Sequence, residues 1–238
     1  SGMARRQTPS GVALRGYVRN PAMVGRITAL EIVWHRALAP GYGWIFPCPD
    51  GVFNIGVGIA DSHTALHDGK LAKREANLRD VMNDFQRVYA PARELMGSGT
   101  LLAPMKGAPL RCSLAGAHYT RDGLLVTGEA AGSTYSFTGE GIGKALETGI
   151  HAAEAVLTAG ADDAVRADYE GRLLALKPRF DLYQRANLVN RRPWLADFLI
   201  WRAQRSPRIV RRMSGVLNET SNPGNLVSFK GLYRVLVE

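Results

Sequence analysis

Apolar and polar positions alternate from Val12 to Val18 (VALRGYV) with the period of a half-buried strand, and Asn20-Pro21 ends the run. A second strand is predicted over Ile27 to His35. A third, short and aromatic, lies in Pro40-Gly41-Tyr42-Gly43-Trp44-Ile45-Phe46-Pro47, and after the Pro49-Asp50-Gly51 turn a fourth runs from Val52 to Ile59. Four strands joined by short turns predict an antiparallel sheet. Tyr42, Trp44 and Phe46 are two residues apart and project on one face, an aromatic wall suited to a long apolar chain. Gly56 and Gly58 on the adjoining strand leave room beside it. The plainer alternative is an aromatic core strand packed under a helix. Asp61 to Asp68 is polar and loop-like. Leu71 to Tyr89 repeats with helical period through Leu71, Leu78, Val81, Met82, Phe85 and Val88, stopping before Pro91. Gly97-Ser98-Gly99 is a break, and Thr100 to Cys112 is too rich in Pro and Gly for a helix and reads as an extended return to the sheet.

Further on, Leu124 to Thr127 reads as a buried strand running into Gly128-Glu129-Ala130-Ala131-Gly132, whose small side chains let a ligand approach the backbone. A second glycine cluster, Gly139-Glu140-Gly141-Ile142-Gly143, opens a helix with Ala145, Ala152, Ala153 and Ala155 for tight packing. The free N–H groups and positive dipole end of that helix favour an anionic or electron-rich ligand. Other phosphate-binding patterns fail on spacing: Lys144 stands where a dinucleotide fingerprint needs its third Gly, and Ala145 where a P-loop needs Ser or Thr. A long helix is predicted over Asp162 to Asn190, interrupted near Pro178, and an amphipathic one after Pro193 containing Trp194, Leu195, Phe198, Leu199 and Trp201. From Ser221-Asn222-Pro223 onward the chain reads as a loop and a short terminal element.

Composition narrows this picture only in part. The 238 residues are 46% hydrophobic and 21% charged, which are globular values and exclude wholesale disorder. A net charge of +9 favours anionic partners without choosing among phosphates, acidic lipids and nucleic acid. Between Arg166 and Arg212 twelve basic residues face four acids, so the last third is a basic helical region that either packs with a solvated face or lies on a membrane interface. No nucleic-acid module accompanies the charge, so no nucleic-acid partner is expected. Cys48 and Cys112 form no disulfide or zinc pattern, and His63 and His67 lack a third ligand, so they are expected to be surface histidines and no metal is expected. With no leader pattern and no apolar run of spanning length, a cytoplasmic setting is expected, with peripheral membrane contact left open. Ser1-Gly2 before Met3 has the look of a tag-removal scar.

Two of these stretches resemble one family. The strand, the Gly128, Ala130, Ala131, Gly132 loop, and Thr138, Gly139, Glu140, Gly141, Ile142 opening a helix that continues through Gly149 and Ala152-Ala153 are similar to the second flavin-binding motif of the geranylgeranyl reductase group of FAD-dependent oxidoreductases. Glu129 replaces an Asp that contacts the flavin ribityl chain in that family, and Ser136 replaces a usual Pro. Tyr42, Trp44, Phe46 and Pro47, then eight residues, then Gly56-Val57-Gly58, also match a reductase element that lines the isoprenoid cavity beside the flavin.

The resemblance implies an α+β fold in three parts: an antiparallel-sheet substrate-binding region over 3–111, the second half of an FAD-binding domain over 112–160, and basic helices over 161–238. It implies FAD as cofactor, held by Gly128, Glu129, Ala130, Ala131, Gly132, Gly139, Glu140, Gly141 and Ile142. An isoprenoid or other apolar substrate is implied on Tyr42, Trp44, Phe46, Pro47, Gly56 and Gly58. The implied chemistry is hydride delivery from reduced FAD to a prenyl C=C bond; a flavin monooxygenase of the same superfamily and a non-catalytic module that binds a membrane or partner are the alternatives. No acid–base residue is identified. The family's opening strand–Gly-x-Gly-x-x-Gly–helix unit, which binds the ADP half of FAD, has no counterpart before Val12. Weak or absent FAD binding is the corresponding expectation, the chain being either a shortened form or one whose nucleotide-binding half another chain supplies.

Overall fold

The computed structural model describes Met3 and residues 10–60, 63–65, 71–73 and 77–223. It divides into two compact units: Ser10–Pro109 with Asn190–Asp197, and Leu110–Val189 with the chain from Phe198.

The first unit is built on a sheet of β1 (Gly11–Arg19), β2 (Glu31–Val33), β3 (Gly41–Pro47) and β4 (Val52–Ala60). A separate hairpin pairs β5 (His63–Ala65) with β6 (Leu71–Lys73), and then come α1 (Leu78–Val88), α2 (Ala90–Ser98), β7 (Thr100–Leu101) and β8 (Lys106–Leu110). Strand order is β2-β3-β4-β1-β7, each neighbouring pair antiparallel, with β8 also on β1. The sheet's buried face carries Val18, Ile45, Phe53, Ile55 and Val57 against Met82 and Phe85 of α1 and Ala92 and Leu95 of α2. Phe85 lies flat on the sheet because position 43 is glycine; a Cβ there would be 2.6 Å from the ring.

Three boundaries differ from the sequence reading. Only Glu31–Val33 of the second expected strand is paired. The helix expected from Leu71 begins at Leu78, because Asn77 caps it by accepting the Arg79 N–H at 3.0 Å, and Leu71–Lys73 pairs as a strand instead. The break expected at residues 97–99 is the end of α2, whose first turn contains Pro91, a residue suited to a helix N-terminus. His67 and the His63 side chain lie outside the described residues, as does the chain from 224 on.

In the second unit, β9 (Thr120–Arg121) and β10 (Leu124–Leu125) form a two-stranded ribbon. The single turn α3 (Gly128–Ala131) follows, then α4 (Ile142–Ala159), α5 (Asp162–Ala186), α6 (Leu188–Arg191), α7 (Pro193–Ala203), which starts among the first unit's residues, and α8 (Pro207–Leu217). Helices α4 and α5 pack through Ala155, Val165, Tyr169 and Leu173, and the buried Tyr169 hydroxyl donates to Val126 O at 2.7 Å. The alanine face is narrower than expected, since Ala153 is exposed. Ile142, Leu146, Ile150 and Leu157 on α4 are likewise exposed. Pro178 does not interrupt α5: buried Leu173 before it and Phe180 and Tyr183 after it anchor the helix on both sides. Helix α7 is not one-sided, with Leu195 and Leu199 buried but Trp194 and Trp201 exposed.

Candidate functional site

The glycine loop of the second unit is drawn tight by its own hydrogen bonds. Gly128 takes φ +59° and its N–H donates to the fully buried Thr148 Oγ1 at 2.9 Å, while Ala145 fills the space beside it. Gly132 closes α3 in the left-handed region at φ +78°, and its carbonyl accepts the Leu114 N–H at 2.8 Å. Ala131 is fully buried. The Glu129 carboxylate turns inward, accepting from the Arg111 backbone N–H and from Thr134 Oγ1 at 2.8 Å. Burial pushes its pKa up, against the opposing pull of those two hydrogen bonds and the Arg111 charge. Glu129 therefore ties the loop to the backbone at Arg111 and to Thr134.

At the second cluster the Gly139 N–H donates to Tyr135 O at 2.9 Å and the Glu140 N–H to Thr138 Oγ1 at 3.3 Å. The Glu140 carboxylate caps α4 by accepting the Gly143 N–H at 2.6 Å. Among the described residues the N–H groups of Gly141 and Ile142 have no acceptor, and they sit at the positive end of an 18-residue helix. Position 141 is crowded, since a Cβ there would lie 2.7 Å from Thr134 Oγ1. Beside the same helix start an open cleft of about 360 Å³ is lined by Lys144, Leu146, Glu147, Ile150, His151 and Glu219.

Beneath this loop lies a cluster that sequence reading missed. Tyr135 stacks on Tyr183 with ring centroids 3.8 Å apart and 1° between planes, and packs against Phe180 at 4.7 Å. Lys144 Nζ sits 5.2 Å from the Tyr135 ring and donates to Glu147 at 2.8 Å and Glu219 at 2.9 Å. Burial alone would lower the lysine pKa; the two carboxylate hydrogen bonds outweigh it and raise the value. The Tyr135 hydroxyl is pushed up to about 12, chiefly by burial. Among the described residues it has no hydrogen-bond partner, and neither do the hydroxyls of Ser133 and Ser136.

In the first unit Tyr42, Trp44 and Phe46 form a continuous ladder, with centroids 6.1 and 6.2 Å apart, extended by Trp34 at 5.6 Å from Tyr42. Trp34 escaped the sequence reading because it follows β2 rather than lying on the aromatic strand; its indole donates to Asn190 Oδ1 at 3.2 Å. Trp44 lies down over β4, its indole donating to Asn54 Oδ1 at 3.1 Å. The space above Gly56 is taken by that ring and not left for a ligand, since a Cβ at 56 would be 2.1 Å from it. A Cβ at Gly58 would lie 3.6 Å from the same ring, an ordinary contact. Pro47 ends β3. The cavity between Trp34 and Asp197 is about 10 Å³, room for a water and not for a lipid.

The chain is 34% identical over 171 residues to menaquinone reductase of Mycolicibacterium smegmatis, covering 66% of this chain and 37% of that protein. It is 30% identical over 129 residues to digeranylgeranylglycerophospholipid reductase 1 of Methanococcoides burtonii, covering 54% and 28%. Among solved structures, a geranylgeranyl bacteriochlorophyll reductase-like protein from Thermoplasma acidophilum superposes with a TM-score of 0.56 at 16% identity, over 98% of this chain and 53% of that one. The flavin-dependent halogenase CmlS gives 0.52 at 15% identity, over 78% and 33%. No protein-family model matches. The chain is thus related, in sequence and in fold, to the geranylgeranyl reductase group of FAD-dependent oxidoreductases. It spans between about a quarter and little more than a third of the length of the curated relatives it matches.

The residues present fit a flavin through backbone rather than side chains. Gly141 and Ile142 supply two open N–H donors at a helix N-terminus, and of the small residues in the Gly128–Gly132 loop Ala130 is exposed. Glu129 and Glu140, both spent on internal bonds, would shape that cradle without holding the ligand.

Proposed function

We propose that this chain is the substrate-binding and flavin-capping part of an FAD-dependent reductase acting on C=C bonds of a prenyl chain. The observation that carries the reading is the Tyr42–Trp44–Phe46 ladder fitted over Gly56 and Gly58, an apolar surface of strand length in a chain whose relatives are named for quinone and prenyl-lipid reduction. The ladder would hold the prenyl chain and keep water from it. The loop Gly128–Gly132 and the N–H groups of Gly141 and Ile142 would hold the flavin and offset negative charge on it. FAD in its reduced form would supply the hydride, becoming oxidised as the C=C bond is reduced. In this assignment 3–111 is the substrate region, 112–160 the flavin-capping part and 161–238 the basic helical part, and the ADP half of FAD is received by a further polypeptide segment.

A titration with flavins tests this. Riboflavin, FMN and FAD bind with similar affinities, because only the flavin end meets this chain, and ADP does not compete. With chemically reduced flavin, a geranylgeranyl lipid gains two hydrogens per double bond by mass spectrometry. No saturable flavin signal, or competition by ADP, overturns the proposal.

Two other readings have an observation each. The fold shared with a flavin-dependent halogenase favours an oxygen-using enzyme, which heavy-oxygen incorporation into the substrate would reveal. Exposed Trp201, with the guanidinium of Arg205 at 4.6 Å and of Arg202 at 5.7 Å from its ring, favours peripheral contact with an anionic membrane, read by vesicle sedimentation without flavin.

A further inference from the structure

We infer that Arg15 on β1 selects an anionic head on the amphiphile whose apolar chain lies along the aromatic ladder. This rests on the prenyl reading above and adds a head group to it. The register puts Trp44, Gly56 and Arg15 on one rung of three neighbouring strands, and Phe46, Asn54 and Tyr17 on the next. Residues facing one another across antiparallel strands share a face, so the ladder, the glycines of β4 and the Arg15-Tyr17-Arg19 row of β1 form one surface. Adjacent strands are about 4.8 Å apart, which leaves Arg15 roughly 10 Å from Trp44 at the backbone. The intervening strand is bare at Gly56, and the indole reclines over it, so apolar surface is continuous between ladder and arginine.

Arg15 is exposed, and its guanidinium stacks 4.8 Å from the centroid of the Tyr17 ring. Stacking fixes the plane and leaves the N–H edge for an acceptor. Arg26, Arg36, Arg87, Arg166, Arg172 and Arg179 all pair with carboxylates, whereas among the described residues Arg15 and Arg19 have no carboxylate partner. Arg19 lies four residues along β1, about 13 Å away, and adds to the field rather than to the contact. The surface therefore runs from aromatic to cationic across three strands, the complement of an amphiphile with a phosphate-type head.

Because a chain of net charge +9 draws any anion, the test compares probes that differ only in the head and then removes the arginine. Binding of geranylgeranyl monophosphate, geranylgeraniol and inorganic phosphate is measured by calorimetry at low salt, below micelle-forming concentrations. Expected is about fivefold tighter binding of the monophosphate than of the alcohol, the size of an exposed ion pair, and no measurable binding of inorganic phosphate alone. Arg15→Gln abolishes that preference and leaves the alcohol's affinity unchanged, Arg19→Gln trims it by less than twofold, and Trp44→Ala weakens both prenyl probes equally. Equal affinities for the two prenyl probes, a preference that survives Arg15→Gln, or phosphate binding as well as the prenyl monophosphate would each overturn the head-group assignment while the prenyl reading stands. If neither prenyl probe binds, the prenyl reading itself fails and takes this inference with it. Circular dichroism confirms that each variant is folded.

Discussion

Replacing Gly56 by alanine tests the seat of Trp44 directly. The added Cβ would stand 2.1 Å from Cζ2, 2.5 Å from Cε2 and 2.7 Å from Cη2 of the indole, against an ordinary contact of 3.4 Å or more. The ring must withdraw by at least 1.3 Å (3.4 minus 2.1), and its 3.1 Å hydrogen bond to Asn54 is stretched as it goes. Overpacking of this kind costs about 1–3 kcal/mol, and a lost hydrogen bond about 1 kcal/mol. Gly56→Ala should therefore destabilise the protein by about 2–4 kcal/mol, lowering its melting temperature by roughly 4–16 °C. Gly58→Ala is the internal control, because its nearest ring atom is at 3.6 Å and it should fall within about 0.5 kcal/mol of the parent. Scanning calorimetry measures both, and near-ultraviolet circular dichroism reports the indole's displacement. Equal stability of the two variants, or an unmoved indole signal in Gly56→Ala, would refute the packing argument. If Gly56→Ala loses prenyl binding while Gly58→Ala keeps it, the reclining indole is part of the binding surface.

Thr148→Val keeps the shape but strips the acceptor from the Gly128 N–H, leaving a buried donor unmet at a cost of about 1–3 kcal/mol; amide exchange at Gly128 should accelerate, and an unchanged rate would count against the loop's anchoring. Tyr135 and Tyr169 are both pushed up to about 12 by burial, so the folded state holds their protons more tightly than the unfolded chain does. Their contribution is complete below the ordinary tyrosine value near 10 and is lost as pH rises from about 10 through 12. Tyrosinate absorbance followed with denaturant melts should show stability falling across that window, and a flat profile would contradict the burial. At neutral pH Tyr135→Phe should be at least as stable as the parent, because the hydroxyl it removes has no acceptor among the described residues.

The sheet was legible from alternation because its strands bury one face only: Gly41, Gly43 and Ile45 are buried and Tyr42, Trp44 and Phe46 half-buried, in strict turn. Helix starts were less legible. Leu71 continues the apolar period of α1, yet a single Asn77 side chain decides where the helix begins. Pro178 reads as a break because local sequence cannot register the tyrosine and phenylalanine packing on either side. In the site, glycine spacing located the loop and the helix start, since a close approach needs glycine wherever it occurs. Thr148, Tyr135, Tyr183 and Lys144 could not be found that way, because they meet across long sequence separations and carry no local pattern. Gly56 was placed correctly beside the ladder, but the space it creates belongs to Trp44, a fact that depends on the indole's orientation and not on its spacing.

The bare side of α4 bears on how the molecule behaves in concentrated solution. From Ile142 to Leu157 it presents a ridge of branched aliphatic side chains about 22 Å long. Each molecule carries nine net positive charges, so at low ionic strength two such ridges are kept apart by a repulsion reaching tens of ångströms. Added salt shortens that reach to a few ångströms and leaves the aliphatic contact untouched. The familiar remedy for a basic protein, raising the salt, would here favour clumping, and a dilute buffer would keep the molecules dispersed.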